Sequence, residues 1–383
     1  MIVSSKLPGV GTTIFTVMSA LAQEHGAINL AQGFPDFPSS QRLNELVAHY
    51  MRQGYNQYAP MAGVPILRQR IAEKVDGLYG VKIDPDQEIT ITAGATEGIF
   101  TAIGALVSPG DEVIVFEPAY DSYRPSIELF GGITKSFELS APDYTIDWDR
   151  LMRLISMKTR MIIINTPQNP IGKILKPADM QALEKLVSSS DIIILSDEVY
   201  EHMVYDGHEH QSILRYPALR DRAVAVYSFG KTFHNTGWRI GYCIAPPALT
   251  AEFRKVHQFN VFSINTPMQY ALADFLEDPH EYLGLGTFFT HKRDFFLDAI
   301  EGSLFRPLLS EGSYFQLCDY SQISTESDVD FCRRLTIDHK VAAIPVSVFF
   351  HGRRDEKIIR FCFAKKEETL ELAGERLRGI GKG

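Results

Sequence analysis

The sequence is poor in the residues that would point to a metal, to a disulfide framework or to a nucleic-acid partner. Its 383 residues contain few cysteines, which are Cys243, Cys318, Cys332 and Cys362. Because they show no metal-ligand spacing, we expect reduced thiols, no metal site and a cytoplasmic protein. Basic residues are outnumbered, 38 against 47 acidic ones, and the net charge of -9 excludes a general affinity for nucleic acid or anionic membrane. We therefore expect a small-molecule substrate.

Long uninterrupted hydrophobic runs are also missing. The most apolar stretch, residues 89–107, is broken by Glu97 and by glycines and threonines, so it predicts a strand, a turn and a helix rather than a membrane span. The amino terminus lacks the charged start and long apolar run of a secretory signal. His208 to His210 form an HEH triplet without a third ligand, which we interpret as a solvent-exposed turn.

The chain alternates short β-rich runs with helical patterns, which is typical of a mostly parallel sheet covered by helices. The predicted strands include residues 88–92, 111–116, 161–165, 191–195, 223–228 and 240–245. Their continuous apolar character predicts buried parallel strands. No strand is followed by GxGxxG with an acidic residue about 20 positions later, which argues against an NAD-dependent dehydrogenase.

Helical patterns separate the strands and then dominate the carboxyl-terminal part. Residues 64–80 and 177–190 have apolar residues three and four apart and predict crossover helices. From Pro279 the pattern changes to one long helix over residues 281–302, short strands and a last helix. The chain is also longer than one core usually serves, so we predict a large α/β domain over residues 41–278. A smaller α+β domain would combine residues 279–383 with 1–40, which include an amino-terminal arm.

Polar residues follow several predicted strands, where ligands bind in open α/β sheets. Ala95 and Thr96 lie where small residues open a helix, and free N–H groups at a helix start suit a phosphate, although an ordinary turn is the alternative. Asn169 lies between two prolines, with an amide able to donate a directed hydrogen bond. Asp197 ends another strand, three residues before Tyr200; helix capping would also explain an aspartate there.

The last of these strands leads into SFGKTFHNTGWR, which brings Ser228, Lys231 and Arg239 to the same sheet edge. A single lysine is usually a solvated surface charge. Lys231 has aromatic neighbours in the sequence, Phe229 and Phe233, and few carboxylates, which favours a partly buried amine with a specific partner.

In chain order these residues form a set of motifs: Asn169 in TPxNP, Asp197 and Tyr200 in SDEVY, Ser228 and Lys231 in SxxK, and Arg239 in GxR. The set resembles the class I aminotransferases of pyridoxal 5'-phosphate (PLP)-dependent fold type I. The resemblance extends from QGFPDF through NQYAP, TAGATEG and NTPMQ to RFCFAK, and is strongest to the methionine and kynurenine aminotransferase branch, which includes glutamine transaminase K. It implies a seven-stranded, mostly parallel sheet sandwiched by helices, a smaller α+β domain, PLP as cofactor and a homodimer with shared active sites.

The resemblance also implies a role for each matching residue. Lys231 would carry PLP as a Schiff base and move a proton during transamination. Asp197 would keep the pyridine nitrogen protonated, and Tyr200 and Asn169 would hydrogen-bond the phenolic oxygen. Tyr120 would stack on the ring. The remaining cofactor residues would bind the phosphate: Ala95, Thr96, Ser228, Arg239 and, from a neighbouring subunit, Tyr58.

The most important substrate residue implied by the resemblance is Arg360, which would bind the α-carboxylate bidentately, through two parallel hydrogen bonds. Without the family, an arginine on a strand would be read as a surface charge. The other substrate residues would be Gly33, Asn169, Phe15, Phe34 and Phe262. Residues 259–267 contain no second arginine for a distal carboxylate, so methionine or an aromatic or neutral amino acid is the expected donor and a 2-oxo acid the acceptor, in a ping-pong mechanism.

Other activities stay open at this point. The same cofactor could support cysteine-S-conjugate β-lyase chemistry or a kynurenine–oxoglutarate transaminase. Kynurenine enzymes often have a histidine after the loop phenylalanine, whereas Ser263 follows Phe262 here. The family usually has a small and then an apolar residue where this chain has His234 and Asn235. A regulator built on this fold would carry an added DNA-binding domain, whereas this sequence begins directly with the amino-terminal arm of the family, so we do not expect a regulator.

Overall fold

A seven-stranded sheet organises the computed structural model, which describes residues 4–381. Residues 1–3 and 382–383, the outer ends of the predicted small domain, lie outside the described residues. The strands are β1 Ile28–Asn29, β2 Ile89–Thr92, β3 Glu112–Glu117, β4 Ile133–Glu138, β5 Thr159–Asn165, β6 Ile193–Asp197, β7 Ala223–Ser228, β8 Gly241–Ile244, β9 Arg306–Pro307, β10 Phe315–Asp319, β11 Val341–Ala342, β12 Ile344–Pro345 and β13 Ile358–Cys362. The large sheet has the order β2-β8-β7-β6-β5-β3-β4. Only β8 runs antiparallel to its neighbours, β2 and β7.

Helices cover both faces of this sheet. The α-helices are α1 Ile14–Glu24, α2 Gln41–Arg52, α3 Pro65–Tyr79, α4 Ala95–Leu106, α5 Tyr123–Leu129, α6 Trp148–Leu154, α7 Pro177–Val187, α8 Pro217–Arg220, α9 Phe229–Thr232, α10 Pro247–Asn260, α11 Thr266–Phe275, α12 His280–Leu283, α13 Leu285–Ala299, α14 Asp328–Asp338 and α15 Glu367–Arg378. Short 3-10 helices span Ile213–Arg215, Thr236–Trp238 and Val346–Phe349. None of the helices described is long and apolar enough to cross a membrane.

Alternate residues of the buried strands pack into two cores, one on each face. In β5, Ile162 and Ile164 belong to the larger core, while Met161 and Ile163 face the smaller one beneath α4 and α5. This is the geometry of a sheet buried on both faces, for which continuous apolar runs are required. The predicted fold class, a mostly parallel seven-stranded sheet sandwiched by helices, is confirmed.

One strand was not named in the sequence analysis, and one helix prediction is wrong in detail. Strand β4 was missed, because most of its side chains are exposed or half-buried at the sheet edge and its sequence, ITKSFE, is polar. The single helix predicted over residues 281–302 is divided at Gly284 into α12 and α13.

The carboxyl-terminal segment forms a second, four-stranded sheet of order β12-β13-β10-β9. The amino-terminal β1 pairs in parallel with β11, Ile28 opposite Val341. This pairing joins the two segments that the sequence analysis grouped together, while the domain boundaries near residues 41 and 278 remain a prediction.

Candidate active site

A cavity lies at the edge of the large sheet where β5, β6 and β7 end and α4 begins. Its lining residues are Ala95, Thr96, Ile99, Tyr120, Asn165, Asn169, Asp197, Val199, Tyr200, Ser228, Lys231 and Arg239. The fold therefore gathers residues that are up to 144 positions apart in the chain, counted from Ala95 to Arg239. All the predicted cofactor residues line this cavity except Tyr58.

The start of α4 forms one end of the cavity. Gly94 precedes the helix with φ of +79°, a backbone conformation that glycine adopts readily. A Cβ at Gly94 would lie 2.7 Å from Arg239 Nη2, so the guanidinium packs directly against the turn. The helix start provides N–H groups free of intrahelical partners, and the arginine adds a positive charge. This end suits a phosphate.

Lys231 lies on α9, immediately after β7. The Ser228 hydroxyl caps that helix by accepting a hydrogen bond from the Lys231 N–H at 3.4 Å. The lysine Nζ donates to the Tyr314 hydroxyl at 2.8 Å and to the Gly33 carbonyl at 3.2 Å. Burial lowers the pKa of Lys231 to about 8, and the nearby positive charge of Arg239 adds to the shift. The amine is therefore far easier to deprotonate than an exposed lysine.

Asp197 is the last residue of β6 and is 4% exposed. No helix begins there, so the capping interpretation of this aspartate is wrong; residues 199–202 form a turn. Its Oδ2 accepts a hydrogen bond from the Tyr123 hydroxyl at 2.5 Å. Burial raises the pKa of Asp197 to about 6, although the Tyr123 hydrogen bond acts in the opposite direction.

Asn169 connects the cavity to the second sheet. Its backbone N–H donates to Asn165 Oδ1 at 2.8 Å. Its own Oδ1 accepts from Arg360 Nη1 at 2.6 Å, which leaves the side-chain NH₂ group to donate elsewhere. The bond from Arg360 thus fixes which way the Asn169 amide faces.

Arg360 lies in the middle of β13 and is fully buried. Its Nη2 donates to the Ala31 carbonyl at 2.9 Å, and its Nε has no hydrogen-bond partner among residues 4–381. The guanidinium carbon lies 3.8 Å from the centre of the Phe315 ring, and the Phe15 and Phe349 rings are within 5.5 Å. Burial lowers the pKa of Arg360 to about 10. A buried guanidinium with donor capacity left over matches an incoming carboxylate.

Two tyrosines, Tyr120 and Tyr200, line the cavity. Tyr120 lies near the start of α4, with its hydroxyl 3.4 Å from the Thr96 hydroxyl. Tyr200 is 2% exposed and contacts the Tyr314 ring edge to face at 5.1 Å. Burial raises the pKa of both phenols, so both stay protonated. Each can therefore donate a hydrogen bond at neutral pH.

The remaining predicted substrate residues separate into two groups. Gly33 and Phe34 lie on the arm after β1, where their carbonyls accept hydrogen bonds from Lys231 and from Lys365, respectively. Phe15 lies beside Arg360. By contrast, Tyr58 and Phe262 are 80% and 60% exposed and lie outside the cavity. Their ring centroids are 5.1 Å apart. One chain does not bring these two residues to its own site.

Sequence reasoning missed Tyr123, Asn165 and Tyr314. Tyr123 lies three positions after Tyr120 in EPAYDSY, and Asn165 ends a predicted strand, so both had the strand-end signal that identified their neighbours. Tyr314 reaches Lys231 from the second sheet, and no local pattern in the sequence indicates this contact.

The HEH triplet also differs from its prediction. His208 and Glu209 are exposed as expected, but the His210 side chain is 7% exposed and its Nε2 lies 2.9 Å from the buried Glu198 carboxylate. Glu198 also accepts from the Tyr227 hydroxyl at 3.1 Å and from the Ile213 N–H at 2.8 Å. His210 therefore belongs to a buried hydrogen-bonded cluster around Glu198. Within the described part of the chain no three metal-ligating side chains come together.

These residues fit PLP at both ends of the molecule. The free N–H groups of α4, with Ser228 and Arg239, could hold the phosphate, and the Gly94 turn has no room for a side chain between them. A buried carboxylate, Asp197, could meet a protonated ring nitrogen, and the amine of Lys231 could bond the aldehyde carbon. A fold and a site of this kind define a PLP-dependent transferase.

Comparison with known proteins agrees with this class. The family model described as aminotransferase class I and II matches residues 25–377. The chain belongs to this family and is a PLP-dependent aminotransferase.

The most informative relatives cover almost the whole chain. The methionine aminotransferase of Escherichia coli (strain K12) is 54% identical over 381 residues, covering 99% of both chains. Kynurenine–oxoglutarate transaminase 3 of Rattus norvegicus is 34% identical, covering 98% of this chain and 89% of that protein. A crystal structure from Escherichia coli, reported with a methionine aminotransferase function, has a TM-score of 0.97 at 54% identity and covers 99% of this chain and 100% of that one.

Proposed function

We propose that this aminotransferase transfers the amino group of methionine, or of another neutral or aromatic amino acid, to a 2-oxo acid by a ping-pong mechanism. The observation that carries the proposal is Arg360, a buried guanidinium that has aromatic rings on its apolar sides and unused donor capacity. Similarity to the methionine aminotransferase of Escherichia coli supports the same donor.

The donor follows from the balance of charges near Arg360. The α-carboxylate of an amino acid would pair with its guanidinium, while Phe15 would contact the donor side chain from the same subunit. Residues 259–267, next to the exposed Phe262, contain no arginine that could bind a second carboxylate. An apolar side chain such as that of methionine gains free energy from burial against aromatic rings, whereas a distal carboxylate would lose hydration without a partner.

The cofactor residues have separate tasks in this proposal. Ala95, Thr96, Ser228 and Arg239 would hold the phosphate, with Tyr58 of a neighbouring subunit. Tyr120 would pack on the ring, while Asn169 and Tyr200 would donate hydrogen bonds to its phenolic oxygen. Gly33 and Phe34 would contribute to the substrate site from the arm. Asp197 would keep the ring nitrogen protonated through a charge-assisted hydrogen bond.

When bound, PLP supplies an electron sink that makes the substrate Cα proton acidic. Lys231 then acts as the general base at that carbon. In the chain without cofactor, burial lowers the pKa of Lys231 to about 8. A base with a pKa near the operating pH is suited to proton transfer.

We also propose a homodimer that works in the cytoplasm. Tyr58 and Phe262 form an exposed aromatic pair, and Phe259, three positions before Phe262, is 87% exposed; a second copy of the chain would bury this surface. The cytoplasmic location is supported by the four free, buried cysteines.

A panel of amino donors tests the proposed substrate. Methionine, phenylalanine, glutamine, kynurenine and aspartate would each be supplied with the same excess of a 2-oxo acid, and kcat/KM would be compared. We expect methionine or an aromatic donor to exceed aspartate by about tenfold or more, the effect of one unpaired polar group at a buried site. Aspartate as the best donor would contradict the proposal.

A further inference from the structure

Tyr123 has no assigned role, yet it makes the shortest contact of the Asp197 side chain. Its hydroxyl donates to Asp197 Oδ2 at 2.5 Å, and both residues are buried, with exposures of 3% and 4%. Asp197 Oδ1 receives only a long contact, 3.4 Å, from the backbone N–H of Val199. Among residues 4–381, Tyr123 is thus the one side chain that hydrogen-bonds this carboxylate.

The backbone around Asp197 is fixed independently. Asn165 Nδ2 donates to the Asp197 carbonyl at 2.9 Å, and the two residues face each other across the β5–β6 pair. Tyr123 itself begins α5, whose position is set by packing of Ile127 into the smaller core. A hydroxyl on a fixed helix and a carboxylate on a fixed strand give a hydrogen bond of defined direction.

Several ionisable groups surround this carboxylate. Tyr123 lies on α5 and Tyr120 in the segment before that helix. Glu198 and Tyr200 follow β6. Lys231 lies on α9, and Cys243 lies on β8. Burial, followed by the charge of Asp197, raises the pKa of Tyr123 well above its usual range. Tyr123 therefore remains the proton donor in its hydrogen bond to Asp197 at neutral pH.

We propose that Tyr123 is a positioning residue for the cofactor: its hydroxyl occupies Oδ2 of Asp197, leaves Oδ1 to meet the ring nitrogen, and keeps the carboxylate ionised in a buried place. This inference rests on the proposed function in one respect, namely that Asp197 faces the ring nitrogen. The physical reason is that a buried carboxylate favours its protonated form, and a hydrogen bond from a neutral donor restores the ionised form. A protonated Asp197 could not stabilise a protonated ring nitrogen.

The test is the pH dependence of PLP binding by enzyme from which the cofactor has been removed. Tyr123→Phe keeps the ring and its packing but removes the donor. The matched control is Tyr144→Phe, because Tyr144 is also buried and its hydroxyl donates to a carboxylate, Glu356, at 3.2 Å, away from the cluster around Asp197. Affinity would be measured by equilibrium dialysis from pH 5.5 to about 8.5, the range around the Asp197 pKa, and unfolding temperature would be recorded for each variant.

We expect Tyr123→Phe to bind PLP at least threefold more weakly at pH 6 than the unaltered protein does, and nearly as tightly at pH 8.5, where Asp197 is ionised in both. Tyr144→Phe should follow the unaltered protein at every pH. An equal loss of affinity at all pH values, or no loss, would overturn the role of Tyr123. If the unfolding temperature falls equally in Tyr123→Phe and Tyr144→Phe, the two variants are equally destabilised. A difference between their profiles of PLP affinity against pH then reports on Asp197 alone.

Asp197→Asn separates this inference from the proposed function. If the acid-side loss of affinity depends on Asp197 but is the same with and without the Tyr123 hydroxyl, only the role of Tyr123 fails. If Asp197→Asn binds PLP with an unchanged pH profile and affinity, the placement of Asp197 at the ring nitrogen fails, and the inference about Tyr123 fails with it.

Discussion

At the scale of single residues, Arg360 illustrates how burial makes a charge specific. Its guanidinium is held by Asn169 and by the Ala31 carbonyl, and its flat faces lie against aromatic rings. A lysine at this position could make neither the forked pair of bonds nor the stacking contact.

We therefore expect Arg360→Lys to lower kcat/KM for methionine about 100-fold, equivalent to about 2.7 kcal/mol. The reason is that the bidentate ion pair between the guanidinium and the α-carboxylate of the substrate is lost. The effect should appear mainly in KM. Steady-state kinetics over a range of methionine concentrations would measure it, with PLP content checked by absorbance as the control. A KM within twofold of the unaltered enzyme would show that Arg360 does not bind the α-carboxylate.

Lys231 allows a prediction about pH. Its pKa of about 8 in the folded protein is below the ordinary lysine value of about 10.4. Below pH 8 the folded protein must bury a charged amine, and this cost falls as the pH rises from 8 toward the ordinary value. Labelling of Lys231 by an amine-reactive reagent in the cofactor-free protein should thus be half-maximal near pH 8, mapped by mass spectrometry. The unfolded chain is the reference, and a midpoint above pH 10 in the folded protein would contradict the lowered pKa.

Single residues were predictable where a chemical type recurred at a strand end. Asp197, Lys231 and Asn169 all have this signal, and the structure brings all three to one cavity. Tyr314 contacts Lys231 across more than 80 residues of sequence, and only the packing of the second sheet determines which side chain arrives there.

At the scale of elements, the turn into α4 is the least replaceable part of the site. Gly94 combines φ of +79° and ψ of 168° with close approach of Arg239. L-residues rarely adopt this conformation, so an alanine there is strained even before its methyl group meets the guanidinium.

Gly94→Ala should weaken PLP binding at least tenfold, or about 1.4 kcal/mol, because Arg239 must move away from the phosphate end. Gly26→Ala is the matched control: Gly26 also has positive φ, +58°, but a Cβ there would meet nothing within 4 Å. Both variants should lose some thermal stability, whereas only Gly94→Ala should lose affinity in a fluorescence titration with PLP. Equal affinities for the two variants would rule out the proposed contact.

Elements were predictable where burial was uniform. The strands β5, β6 and β7 have buried side chains on both faces, and their apolar runs identify them directly. In the edge strand β4 most side chains are half-buried and four of the six, Thr134, Lys135, Ser136 and Glu138, are polar, which resembles a loop in sequence. His210 was misjudged for a related reason, since its neighbours in the loop are exposed and its partner Glu198 is twelve residues away.

At the scale of the whole molecule, the exposed pair Tyr58 and Phe262 cannot complete the site of its own chain. If Tyr58 binds the phosphate of a neighbouring subunit, two inactive variants should rescue each other. In a hybrid dimer of Lys231→Ala and Tyr58→Ala, one site has both defects and the other has neither.

We therefore expect coexpressed, purified hybrid dimers to recover about half the activity of the unaltered dimer, since one of two sites is intact and the sites are independent. Each variant alone should be weakly active or inactive, and activity of the hybrid is measured with methionine as donor. A hybrid no more active than the mean of the two parent variants would show that each chain supplies its own Tyr58, or that no shared site exists.

The pairing of β1 with β11 was the part of the architecture least accessible from the sequence, because each strand has only two residues and no periodicity. The pairing also determines how late during synthesis β1 can find its partner strand. Ile28 leaves the ribosome about 300 residues before its partner Val341, a delay of roughly 15 to 60 seconds at 5–20 residues per second. The large sheet is complete in sequence once β8 has been made, well before that moment. The arm that carries Gly33 and Phe34 therefore cannot reach its final position while the large sheet is being made. Its pairing partner becomes available only near the end of translation.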